Sequence, residues 1–97
     1  MNEIFETTQA QQEKIIKNYF EENEKLKLKQ MPAKQKRKAV ILKRIAEEFN
    51  PDSKYTEKEV NDLIENIYPD YVTIRRYLIE FGFMERTKDG SKYWIKR

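Results

Sequence analysis

The chain has 97 residues, 38% of them hydrophobic, 38% charged and 12% aromatic, which is enough to fill one hydrophobic core and too little for two. It contains no cysteine and no histidine, so disulfides, Cys/His zinc sites, cysteine nucleophiles, Ser-His-Asp triads and histidine acid/base chemistry are excluded within it. The formal net charge of +3 is laid out in blocks: six Glu against two Lys over residues 1–24, nine Lys/Arg and no acid over 25–44, seven acids against two lysines over 45–69, and seven bases against four acids over 70–97. A polyanion-binding face would therefore have to be made by folding the two basic stretches onto one side.

The first residues, Met1 to Glu6, have neither a basic lead nor an apolar run. The longest aliphatic run, residues 39–42, is far short of the roughly 20 residues that span a bilayer. A soluble, cytoplasmic protein without a membrane partner is the expectation. Thr8 with Gln11 fits a capping box, and Ile15, Ile16, Tyr19 and Phe20 share one stripe, which predicts a helix over about 9–22. Residues 23–31 read as irregular or briefly extended. Met31-Pro32 then introduces a second helix over roughly 33–49, with Pro in its first turn; its core arc is Ala39, Leu42, Ile45, Ala46 and Phe49. Val40 faces away from that arc, where the first helix could cover it.

Asn50-Pro51-Asp52 ends that helix, and Lys54-Tyr55 suits a very short strand. Thr56 with Glu59 forms a second capping box, and Val60, Leu63, Ile64 and Ile67 give the amphipathic spacing of a helix near 57–67. After the break at Tyr68-Pro69, Asp70 caps a helix near 71–81 whose core face is Tyr71, Ile74, Tyr77, Leu78 and Phe81. Gly82 supplies its left-handed C-terminal cap. Residues 83–87 and 92–96 read as strands turning through Asp89-Gly90, which sets Met84 opposite Ile95, Glu85 opposite Trp94 and Arg86 opposite Tyr93.

The predicted fold is mainly α with a small β hairpin (α+β). Helix, brief strand, helix, short turn, helix and hairpin follow the order of a winged helix-turn-helix, with residues 31–97 as that domain and residues 1–30 as an extra helix and connector packed on it. From about Tyr19 onward the chain resembles a bacterial family known as domain of unknown function 2087. The residues that carry the resemblance are Met31-Pro32-Ala33-Lys34, Lys54-Tyr55-Thr56-Glu57-Lys58-Glu59-Val60-Asn61, Asp70-Tyr71 with Thr73-Ile74-Arg75-Arg76-Tyr77-Leu78, and Gly82-Phe83-Met84-Glu85-Arg86 with Asp89-Gly90-Ser91 and Tyr93-Trp94. The chain departs from that pattern at Asn23-Glu24-Lys25, where the family has a glycine and a slightly shorter link. The resemblance implies a winged-helix-like, regulator-associated domain and supplies no mechanism.

Turned away from the core of the 71–81 helix are Val72, Thr73, Arg76, Ile79 and Glu80, with Arg75 at the border. Thr73, Arg75 and Arg76 are candidate DNA-reading residues, and Arg86, Lys88 and Lys92 on the hairpin are candidate phosphate contacts. The same arginines could instead pair with Asp70, Glu80 or Glu59, and the hairpin lysines could simply guard an edge. Lys36 and Arg37 belong to the densest basic run, which suits either a nucleic-acid backbone or the acids of the first helix, Glu13, Glu21, Glu22 and Glu24. Tyr55, Tyr77, Phe81, Tyr93 and Trp94 fall mostly on inward faces, which favours packing over base stacking. Glu47-Glu48 and the pair Glu57 and Glu59 are explained by capping and solvation. The sequence thus reads as a binding module and not an enzyme, with no metal and no cofactor expected: a DNA-binding regulatory domain, or alternatively a protein-interaction or dimerisation module, with RNA binding as a third possibility.

Overall fold

Four amphipathic segments become helices, and the residues flanking Asp89-Gly90 become a hairpin. The computed structural model describes residues 7–21 and 25–96, with α1 at Gln9–Tyr19, α2 at Gln35–Ala46, α3 at Glu57–Glu65 and α4 at Tyr71–Glu80, followed by antiparallel strands β1 (Met84–Arg86) and β2 (Tyr93–Ile95). This is the mainly helical α+β class that the sequence predicts. Glu22 and Glu24, and the residues ahead of Thr7, lie outside the described residues. Among the described residues no helix is long and apolar enough to cross a membrane.

Local chemistry explains the helix starts. Thr8 Oγ1 accepts the Gln11 N–H at 3.1 Å while Gln11 Oε1 accepts the Thr8 N–H at 2.9 Å. Thr56 and Glu59 exchange the same two bonds at 3.2 and 2.8 Å, and Asp70 accepts the Thr73 N–H at 3.3 Å. Each side chain thereby satisfies a backbone donor that has no partner inside the helix. α2 lacks such a cap, since Lys34 makes no side-chain capping bond. It is also shorter than the predicted 33–49. Pro32 is buried ahead of the helix and not in its first turn, and at the far end Glu48 and Phe49 close tighter turns onto Ile45 and Ala46 at 3.0 and 3.1 Å.

α1 also stops short of the predicted residue 22. Phe20 turns extended and pairs with Leu28 in an antiparallel bridge, and the Leu28 N–H donates to Ile67 O at 2.9 Å. The 25–30 connector is thus bonded both to the end of α1 and to the end of α3, with Phe20 and Leu28 inside the core.

α2 forms the centre of that core. Ala39, Val40, Ile41, Leu42, Ile45 and Ala46 are all buried, a run that no single-sided helix could show. Val40, with Ala39, is covered by Ile15 and Ile16 of α1 and by Phe81. Ile41 lies outside the predicted arc and is nonetheless inaccessible, because α3, α4 and the hairpin contribute Val60, Ile64, Ile74, Leu78, Met84 and Tyr93 to the cluster around it. Tyr71, Tyr77 and Phe81 are only half-buried. Ile79, expected to face outward, is half-buried against the core, since the hairpin closes over that flank of α4.

The strands pair in the predicted register, although they are shorter than predicted and joined by a four-residue loop rather than a two-residue turn. Thr87 N–H donates to Lys92 O at 2.9 Å as the last rung, and Thr87 Oγ1 accepts the Ser91 and Lys92 N–H groups at 3.0 and 3.1 Å. Gly82 and Gly90 have φ of +79° and +76°, the left-handed conformation that other residues resist. Beyond Gly82 the Phe83 N–H returns to Leu78 O at 2.9 Å and closes α4. The short strand expected at Lys54-Tyr55 is a single bridge: Tyr55 and Tyr93 exchange N–H to O bonds of 2.7 Å each. Through it the hairpin is tied to the segment between α2 and α3.

Candidate functional site

Inward packing of Ile74 and Leu78 turns Val72, Arg76 and Glu80 to solvent, as helical spacing requires. Val72, 41% exposed, is the one large hydrophobic residue among those described that stands out in water. Thr73 occupies the first turn, half-buried.

Arg75 is drawn inward. Its Nη1 donates to Asn61 Oδ1 and its Nη2 lies 3.8 Å from Glu57 Oε1, with the side chain 20% exposed. The Tyr93 hydroxyl donates to that same Glu57 oxygen at 3.0 Å. One carboxylate therefore joins α3, α4 and β2. Burial, and then the Glu57 carboxylate, push the Tyr93 hydroxyl pKa up, while the guanidinium groups of Arg75 and Arg86 pull it the other way. Sequence reasoning assigned Glu57 to capping and solvation and did not single out Asn61. Their spacing of four on α3 was the only available signal, and it names no partner.

Arg75, Arg76 and Arg86 line one open depression of about 410 Å³ between α4 and the hairpin, together with Glu57, Ile79, Glu80 and Tyr93. Among the described residues neither the Arg76 nor the Arg86 side chain has a hydrogen bond or an ion pair, whereas that of Arg75 has both. Arg86 lies against the hairpin tip, where a Cβ on Gly90 would meet its Nη1 at 3.3 Å. Lys88 and Lys92 are exposed on the hairpin. Glu59 is held below the usual carboxylate range chiefly by its hydrogen bonds with Thr56, with a smaller contribution from the Lys92 charge.

Lys36 and Arg37 lie elsewhere. They border a second depression, made with α1, that shares no lining residue with the first. Arg37 Nη1 reaches the Tyr19 hydroxyl at 3.4 Å, and Glu13 is hydrogen-bonded by Gln9 of its own helix. Further along α2, Lys38 stands 4.7 Å from the centre of the Tyr77 ring and Arg44 binds Glu48 at 2.9 Å. Trp94 sits outside the core cluster, its Nε1 donating to Glu85 at 3.1 Å and Lys54 standing 5.5 Å from the centre of its ring. Among the described residues no three carboxylates gather in a way that could hold a metal ion.

A family model described as "uncharacterized protein conserved in bacteria (DUF2087)" matches residues 27–95. The chain belongs to this family. The matched stretch runs from the connector through the hairpin, so Thr73, Arg75, Arg76 and Arg86 lie within the family's span and α1 lies ahead of it. No curated protein and no solved structure matches the chain.

Proposed function

We propose that this chain is a winged-helix domain of a cytoplasmic transcription regulator, binding duplex DNA with α4 in the major groove and the β1–β2 hairpin on the flanking backbone. The observation that carries this reading is the convergence of Arg76 from α4 and Arg86 from β1 on one depression, neither with a partner among the described residues. A groove about 12 Å wide admits a helix, and a guanidinium left wet there can bind guanine edges or phosphate. In this assignment Thr73 faces the bases from the first turn of α4, Arg76 and Arg86 share a backbone phosphate at the groove edge, and Lys88 and Lys92 contact flanking phosphates. Arg75, already bonded to Asn61 and Glu57 on α3, ties α4 to α3, where Glu57 also takes the Tyr93 hydroxyl and so fixes the hairpin's angle, and does not read bases. The Tyr55–Tyr93 bridge adds to that fixed angle, so little ordering entropy is lost on binding.

The test is titration of a labelled duplex at about 50 mM and about 200 mM salt. Affinity is expected to fall roughly a hundredfold between them, as for a protein neutralising about four phosphates. Arg76→Ala should weaken binding about tenfold or more, and Lys88→Ala should lower the salt slope by about one. Absence of binding to any nucleic acid at the lower salt overturns the reading and leaves docking on a protein, through the α4 face that exposes Val72, as the alternative.

A further inference from the structure

A guanidinium keeps its charge throughout the pH range in which proteins fold, and its planar fork of donors matches the spacing of phosphate oxygens. Two such groups share the depression between α4 and β1 with no acceptor among the described residues. The other groups in that depression narrow what can occupy it. Tyr93 has committed its proton to Glu57 and offers no donor, Ile79 is apolar, and Glu80, exposed on the rim, makes no bond to either arginine. Arg86 Nη1 lies close to the tip of the hairpin at Gly90. What remains is a pair of donors, one from a helix and one from a strand, opening onto a space of about 410 Å³, ample for a tetrahedral oxyanion.

We propose that this depression binds a single phosphate group, gripped by Arg76 and Arg86, with Arg75 on its wall held to α3 by Asn61 and Glu57. The inference rests on the reading of this face as the polyanion-binding one. The same chemistry would hold a phosphodiester of a nucleic-acid backbone or a free phosphate, and the two are separated below. Glu57 gives one oxygen to both Tyr93 and Arg75, and the Arg75 contact is long at 3.8 Å, so the pair is loosely made. Glu57→Gln keeps an acceptor for the Tyr93 hydroxyl, leaves the Arg75–Asn61 bond in place, and removes a carboxylate that lines the depression and repels an incoming anion. It should therefore tighten phosphate binding, a sign opposite to that of simple structural damage.

The experiment follows the arginine side-chain NMR signals of the full chain during titration with inorganic phosphate and, separately, with a duplex. Phosphate should move the Arg76 and Arg86 signals and leave Arg37 in place. Arg76→Ala and Arg86→Ala, both at exposed positions, should each weaken phosphate binding about fivefold or more. Glu57→Gln should tighten it about threefold or more. Shifts spread evenly over the basic residues, or a Glu57→Gln variant that binds phosphate no better, overturn the proposal. A duplex that moves Arg76 and Arg86 while inorganic phosphate leaves both unmoved overturns this phosphate site alone. Phosphate bound at the site with no duplex binding overturns the DNA reading alone and assigns the site to a free phosphate.

Discussion

Basic residues are densest along α2 and sparser on α4 and the hairpin, yet the fold treats the two sets in opposite ways. α2 is the most enclosed helix of the molecule, and several of its cations end on local partners: Arg37 on the Tyr19 hydroxyl, Lys38 on the Tyr77 ring, Arg44 on Glu47 and Glu48. On α4 and β1 there are only three arginines, but two of them meet at one opening without a partner among the described residues. Charge density along a chain does not locate usable charge. What decides is whether neighbouring elements bring acceptors within reach, and a helix at the centre of a core has neighbours on most sides.

That contrast can be broken from the α2 side first. Ile41→Ala should cost about 2–5 kcal/mol of stability in urea unfolding, as expected for a fully enclosed side chain; a cost below about 1 kcal/mol would mean that α2 is not the central scaffold. On the α4 side, Arg76→Ala should lose about 1–3 kcal/mol of duplex binding, whereas Arg37→Ala should lose less than about 0.5 kcal/mol. Equal losses would erase the distinction between the two basic regions.

The capping boxes sharpen the comparison at smaller scale. Thr56→Ala removes the cap of a helix integral to the core and should lower global stability by about 1 kcal/mol. Thr8→Ala removes the matching cap of α1, a helix with no fully buried residue, so its effect should show mainly as faster local hydrogen exchange along α1. The smallest effect lies at the hairpin tip. The Thr87 hydroxyl, and then the Ser91 backbone and side chain, hold the exposed Asp89 carboxyl at about 2, below its ordinary 3.8. Because the folded value is the lower one, the contribution of Asp89 is whole above the ordinary pKa and is lost as pH falls through about 2. The Ser91 amide signal should titrate with that low midpoint, and a midpoint near 3.8 would show that the loop is not held by these bonds.

Much of the local structure could be read before folding. Thr8, Thr56 and Asp70 announced three helix starts, Gly82 announced the end of the fourth helix, and the centring on Asp89-Gly90 placed Met84, Glu85 and Arg86 opposite their partners. Those readings succeed because each depends on groups only a few positions apart, whose geometry the backbone alone sets. Of the candidate site residues, the outward placement of Arg76 followed from helical spacing in the same way.

The rest awaited assembly. The sequence could not say that Phe20 leaves its helix to pair with Leu28, that Ile41 is as enclosed as Leu42, or that Arg75 spends its donors on Asn61 and Glu57 while the Arg76 side chain, one residue on, spends none among the described residues. Nor could it bring Arg86 to Arg76 while leaving Lys36 and Arg37 on another surface. Short-range hydrogen bonding and periodicity are properties of a segment, and the sequence by itself determined them. The partners of a long charged side chain depend on which elements pack beside it and how far it reaches, and only the tertiary structure decided those.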